Sequence, residues 1–412
     1  MASILLSAYA CAPARGSEPG VGWSWATELA RLGHHVTVIT RAANQAAIER
    51  EMPPPAGQLT FIYCDLPPVF LRWRTRLHAK VPYYVLWQWL AARRVRQLFP
   101  SLPFDLVHHI TYVSARYPSF MGSLGIPFWF GPVSGGEVVP IPLRPGFSAG
   151  QRCREWLRDV SNRVVPLDPF MRRTFRCAER ILVTRDTLPL VPRHCRDKSA
   201  IQLGIGLPQV AIAPIAGLLH SDPGKLCLLY VGRLLEWKGV DIALLAVSRI
   251  KQVNPNIRFT IVGQGPARPR LEALSRDLGL EETVQWVGWQ PQNRLAEHYR
   301  ASDVLLFPSL RDSGGMVVLE ALAQGVPVVC TDLGGPGVIV DATCGRVLKT
   351  KGCRRHQLAE EFANRVLEVT GVPDLLASLS YGARIRARQF RFQDLVKSVY
   401  ANVPVDRMVG QA

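Results

Sequence analysis

At 412 residues the chain exceeds one ordinary domain, and two domains of about 200 residues each are expected. Its 48% apolar and 20% charged residues exclude a disordered protein, and no apolar run reaches the length of a transmembrane helix. Lys and Arg outnumber Asp and Glu by 49 to 32, a net charge of +17 that implies a polyanionic partner. With no zinc-ligand spacing, RNA-binding aromatic signature or helix-turn-helix pattern, nucleic acid is set aside, and phosphorylated substrates or an anionic membrane surface lead.

The nine cysteines are scattered without a C-x-x-C and read as reduced thiols of a cytoplasmic protein. Ser3 to Ala8 is strand-like; the segment Ile4 to Cys11 lacks the basic flank of a signal peptide, so a first strand is expected. A glycine-rich loop, Arg15 to Trp23, then leads to a helical pattern from Trp23 to Leu32 and the strand Val36 to Ile39. The loop is not G-x-G-x-x-G, and Thr40 and Arg41 stand where an acidic residue would close the strand. Both points argue against a nicotinamide enzyme. Leu59 to Cys64 is a third strand. Between residues 70 and 99, Arg72, Arg74, Arg76, Lys80, Arg93, Arg94 and Arg96 mingle with Trp73, Tyr83, Tyr84, Trp87 and Trp89. That mixture suits a membrane headgroup zone, and equally a core helix with a solvated basic end. Phe104 to Ile110 is a strand ending in His108 and His109, with Tyr112 to Met121 expected as its helix. Ile126 to Gly136 is a buried strand running into a glycine loop, with Glu137 behind it; the loop is a ligand-binding element or a structural turn. Residues 141–175 read as a Pro- and Arg-rich connection, and Arg180 to Thr184 as one more strand.

Glycine and proline crowd residues 206–224, the expected linker. The pattern then restarts: strands over Leu226–Val231, Arg258–Val262 and Val284–Val287 alternate with helices, and Gly288-Trp289 follows the third strand. Arg233 and Lys238 lie five apart, at a strand exit and a helix start. Cations there oppose the helix dipole unless an anion is bound. In residues 305–329 a strand ends at Phe307, a turn holds Asp312, Ser313, Gly314 and Gly315, and a helix runs from Met316 to Gln324. Gly325 and Pro327 stop that helix, and a second apolar run, Val326 to Cys330, follows. Asp312 stands before the helix N-terminus and Glu320 about two turns in. Gly314 and Gly315 between them leave backbone N–H groups open to an anion. Carboxylates for hydroxyls beside donors for phosphate suit a nucleotide sugar.

D-S-G-G-M-V-V-L-E-A-L-A-Q-G-V-P-V-V, from Asp312 to Val329, resembles the acidic-x7-acidic signature of the retaining glycosyltransferases of family 4, with Asp312 where Glu is usual. The resemblance implies an α/β fold of GT-B type, two Rossmann-like domains with parallel sheets. It places an acceptor-side domain at 1–205, a linker at 206–224 and a donor domain at 225–387, with a final helix over 388–412 packing back on the first. It also implies roles. Gly232, Arg233 and Lys238, with Gly20 and Gly22 of the first loop, would hold the diphosphate. Gly288 and Trp289 would meet the base, and Ser313, Gly314, Gly315, Met316 and Val317 would line the donor. Asp312 would hold sugar hydroxyls and Glu320 the ribose. His109 would reach the acceptor, with His108 buried, and Gly135, Gly136 and Glu137 would lie on the acceptor side. The implied reaction moves a hexose, with retention, onto a glycan or lipid-linked acceptor in polysaccharide synthesis, without metal or other cofactor, at the inner face of the membrane. An epimerase, a sugar phosphorylase and a non-catalytic scaffold remain open on the same fold.

Overall fold

The computed structural model describes residues 1–13, 18–51, 58–70, 80–208, 224–401 and 403. It divides into two compact units: residues 1–136, 160–204 and 392–412 form one, and residues 137–159 and 205–391 the other.

The first unit carries seven strands, β1 (Ser3–Ser7), β2 (His35–Thr40), β3 (Leu59–Tyr63), β4 (Leu106–His109), β5 (Phe128–Val133), β6 (Arg180–Val183) and β7 (Ser199–Ile201). They pair in the order β3-β2-β1-β4-β5-β6-β7, all parallel. Ile4, Leu5 and Leu6 of β1 are fully buried, as in a sheet covered on both faces. On one face Trp25 packs with Phe392, Val396 and Tyr400 of the helix Phe392–Tyr400. On the other, Tyr83, Tyr84, Trp87, Ala91 and Val95 of the helix Lys80–Leu98 are buried. This final helix, Phe392–Tyr400 where 388–412 was expected, belongs to the first unit; 402 and 404–412 lie outside the described residues.

The second unit carries β8 (Leu226–Val231), β9 (Ile257–Val262), β10 (Val284–Gly288), β11 (Val304–Phe307), β12 (Val328–Thr331) and β13 (Gly345–Leu348), in the order β10-β9-β8-β11-β12-β13. Every pair is parallel. Every residue of β8 and β11 is buried, matching their unbroken apolar runs. The helix Val240–Val253 covers them with Val240, Ala243, Leu244, Val247 and Ile250, spaced at three and four. Each such apolar side chain taken out of water contributes roughly 1.5–3 kcal/mol.

The strands expected from the apolar runs are present, and β7 and β13 add two. Four expectations are corrected. The first helix begins at Glu18 rather than Trp23, so Gly20 and Gly22 lie in its first turns instead of in a loop. A Cβ on Gly22 would stand 2.2 Å from the Ala10 carbonyl oxygen, so glycine lets that turn close on the end of β1. No helix spans Tyr112 to Met121; only a short 3₁₀ turn, Met121–Ser123, forms there. The connection at 141–175 holds two helices, Ala149–Val164 and Pro169–Cys177. Asp168 caps the second by accepting from the N–H groups of Phe170 (2.8 Å) and Met171 (3.2 Å), with Pro169 in the first turn. Lastly, residues 137–159 pack with the second unit, where Val139, Leu143 and Phe147 join its core. Parts of three expectations lie outside the described residues: the loop at 14–17, the basic-aromatic stretch at 71–79 and the linker at 209–223.

Candidate functional site

In the second unit the strand order reverses between β8 and β11. Open α/β sheets bind ligands at the carboxyl ends of strands at such a point. The loop after β8 carries Gly232, Arg233 and Lys238; the loop after β11 carries Asp312 to Gly315. Leu310 donates its N–H to the Trp237 carbonyl at 2.9 Å. Gly239 (φ 70°) sits where a Cβ would meet the Pro308 carbonyl oxygen at 2.2 Å, so the two loops run in close contact.

That contact brings Lys238 and Asp312 together. The Lys238 ammonium pairs with Asp312 Oδ2 at 2.5 Å and lies 5.5 Å above the Phe307 ring. Asp312 Oδ1 accepts from the N–H groups of Gly314 (3.2 Å) and Gly315 (2.9 Å). The carboxylate thus closes the turn that starts the helix Met316–Ala323 and also neutralises Lys238. Arg233 is exposed, and its guanidinium has no hydrogen-bond or ion-pair partner among the described residues. Its carbonyl accepts from the buried Tyr230 hydroxyl at 3.1 Å. Ser313, Met316 and Val317 are half-buried beside Asp312.

Glu320 lies two turns further along. Its Oε2 accepts from the Tyr299 hydroxyl at 2.9 Å and its Oε1 from Gln292 at 3.3 Å. Burial pushes its carboxyl above the usual range, and the two donors hold it back toward the charged form. Both come from the helix Gln292–Arg300, one of the helices expected to alternate with these strands, though with no site role assigned to it. Gln292 and Tyr299 are seven apart and share one helical face. Gly288 accepts from the Gly263 N–H at 2.7 Å, and Trp289 beyond it is 66% exposed.

The first unit's switch point, between β1 and β4, is different. His108 and His109 are both fully buried, on opposite faces of β4. His108 Nδ1 meets the Tyr400 hydroxyl at 2.5 Å, and its ring stands edge-on to Trp25. His109 Nε2 lies 3.0 Å from the Tyr84 hydroxyl and 3.2 Å from Gln88 Nε2. Burial lowers the imidazoles from their ordinary 6.5 to about 3 and about 4, respectively. The residue that emerges at the end of β4 is Tyr112, 47% exposed and at φ 56°. Its N–H donates to Glu18 at 2.9 Å and its carbonyl accepts from Tyr84 at 3.1 Å. A left-handed tyrosine is not legible in an amino-acid string. Gly136 donates to Thr187 at 2.9 Å, and Gly135 (φ 111°) lies beside Ser114 and Arg116. Glu137 falls in the segment that packs on the second unit, where Arg158 lies 3.6 Å from its carboxylate.

Two family models match the chain, "Glycosyl transferase 4-like domain" over residues 16–188 and "Glycosyl transferases group 1" over 219–384. A D-inositol 3-phosphate glycosyltransferase of Rhodococcus erythropolis is 34% identical over 183 residues, 42% of this chain and 40% of that protein. The protein of the same name from Gordonia bronchialis is 26% identical over 423 residues, 94% of this chain and 85% of its own length. Several of the curated relatives are matched over about half their length or less. Among solved structures, the sucrose-phosphate synthase of Thermosynechococcus elongatus aligns with a TM-score of 0.63 at 19% identity, covering 97% of this chain and 98% of that one. HepE of Anabaena, solved with UDP and glucose, aligns with a TM-score of 0.59 at 16% identity, covering 98% and 99%.

Proposed function

Because the chain belongs to the family 4 glycosyltransferases of GT-B fold, we propose that it moves a sugar, with retention, from a nucleoside diphosphate to an acceptor hydroxyl. The observation that carries this reading is the cluster at the second switch point. Arg233 and Lys238 stand on the loop after β8, Asp312 on the loop after β11 and Glu320 on the helix that follows, with Lys238 and Asp312 in contact.

The roles follow from the chemistry. The departing diphosphate gains negative charge, which Lys238 and Arg233 neutralise without a metal; Arg233 offers a planar fork and Lys238 a point charge. Asp312 uses one of the three ammonium protons of Lys238, leaving two for phosphate oxygens. Glu320, held by Tyr299 and Gln292, keeps acceptor capacity for a ribose diol. Asp312 orients sugar hydroxyls while closing the helix turn. The incoming hydroxyl would lose its proton to the departing phosphate on the same face, since no paired acid and base carboxylates of the glycosidase kind are identified.

The acceptor in this reading is a glycan or a lipid-linked saccharide of a cell-surface polymer. The names of the curated relatives favour a second acceptor class, a phosphorylated cyclitol. A cytoplasmic enzyme resting on an anionic membrane face also belongs to the proposal, supported by the +17 charge and by exposed Trp89 beneath Arg93 at 5.6 Å. No helix of the described residues is long and apolar enough to cross a membrane. Diphosphate release from a panel of UDP-, GDP- and ADP-sugars, with membrane extract or inositol phosphate as acceptor, tests all of this. Release that needs one acceptor supports transfer and selects between the classes; no release with any pair sinks the proposal.

A further inference from the structure

Residues 137–159 leave the first unit's sequence and pack as part of the second. They do so around the two loops of the donor cluster. Ser148 donates from its N–H (2.5 Å) and hydroxyl (2.7 Å) to Glu236, two residues before Lys238. Further along, Glu155 is fully buried and takes Arg311, the neighbour of Asp312, on both carboxylate oxygens at 2.7 and 2.9 Å. Gln151 donates to the same carboxylate at 2.6 Å. The Arg311 guanidinium in turn lies 4.5 Å over the ring of Trp237, the neighbour of Lys238. A single buried carboxylate thus joins the residue beside Asp312 to the residue beside Lys238.

We propose that residues 137–159 brace the donor cluster, with Glu155 a positioning residue that acts through Arg311 and Trp237 to hold Lys238 against Asp312. The inference rests on the proposed function only for the ligand's identity, since the contacts themselves lie within one unit. Arg311 Nη1 donates to both oxygens of Glu155, which anchors one end of the guanidinium, and the stack on Trp237 holds its face against the indole. Neither partner needs to touch a ligand. Arg158 nearby repels Arg311 and Glu137 attracts it, while Glu155 both attracts it and accepts its hydrogen bonds.

The test reads Lys238 directly. Amine acetylation of the full chain, mapped by mass spectrometry, is expected to be slow at Lys238, which is half-buried and paired, relative to exposed Lys349 and Lys351. In Glu155→Gln and in Arg311→Lys, labelling at Lys238 should rise several-fold with the other lysines unchanged. Arg311→Lys keeps the charge but loses the planar guanidinium that stacks on Trp237. Affinity for UDP, GDP or ADP, measured calorimetrically, should fall about tenfold in both variants, as for a displaced binding group. It should fall no further when either change is added to Lys238→Ala. Lys238 labelling that stays at the wild-type rate, or that rises together with every other lysine, overturns the brace. A rise confined to Lys238 in a protein that binds none of the three diphosphates keeps the brace and removes the nucleotide-sugar reading instead.

Discussion

The two units carry the same topological feature, a reversal of strand order in a parallel sheet, and furnish it with opposite chemistry. At β8 and β11 the exits bear Arg233, Lys238, Asp312 and, from the following helix, Glu320, all exposed or half-buried. At β1 and β4 the titratable groups, His108 and His109, are buried among Tyr84, Trp25 and Tyr400. The contrast has a physical origin. Charged side chains on loops beyond the strand ends stay near water and remain ionised. Histidines within a strand of a doubly covered sheet have nowhere to point but the core, and burial there favours the neutral ring. The second switch point therefore presents charge at its loops, and the first is organised around aromatic packing with Tyr112 at its exit.

Breaking the charged side should have the largest effect. Lys238→Ala and Glu320→Gln are each expected to lower kcat/KM on the true donor by about 10² or more, the usual cost of removing a positioned electrostatic group. Unchanged kcat/KM in either variant would remove that residue from the mechanism. Tyr299→Phe, which leaves Glu320 without its closer donor, should cost several-fold, and more toward acid pH because the carboxyl titrates higher.

A sharper cut separates the two tasks of Asp312. Asn at this position retains an oxygen that can accept from Gly314 and Gly315 but loses the charge that faces Lys238. Asp312→Asn should therefore keep its melting temperature while kcat/KM drops about 10². Asp312→Ala should add the loss of the two turn hydrogen bonds, about 1 kcal/mol of stability. Full turnover in Asp312→Asn would reduce the residue to a closer of that turn.

The aromatic side is probed through pH, with stability rather than turnover as the readout. The folded pKa values of His108 and His109, about 3 and about 4, lie below the unfolded value of 6.5. In that window the unfolded chain binds more protons, so stability is complete above about pH 6.5 and is lost as pH falls. The expected loss is on the order of 1 kcal/mol per pH unit per ring. Thermal melts between pH 7 and 4.5 should show it, and a double His108→Phe, His109→Gln variant should flatten the slope. A slope as steep in that variant as in the wild type would place the acid sensitivity elsewhere.

The second unit was legible because its signals are local. An unbroken apolar run is a doubly covered strand, Gly325 and Pro327 stop a helix, and Asp312 and Glu320 stand eight apart on one turn-and-helix. The D-P pair at 168–169 is equally local, and the helix it starts was there to be read. What the string could not contain is which distant segments meet. Nothing in residues 137–159 announces that they join the other unit's core, because their apolar residues would fit either one. Nothing at Tyr299 or Glu155 marks a partner 21 or 156 residues away. The depth of His109 and the left-handed Tyr112 likewise depend on neighbours brought in by the sheet order. Periodicity and turn chemistry act within a few residues and decided the elements. Burial, ion pairing and the pKa shifts they cause depend on what packs across the sheet, and only the tertiary structure decided those.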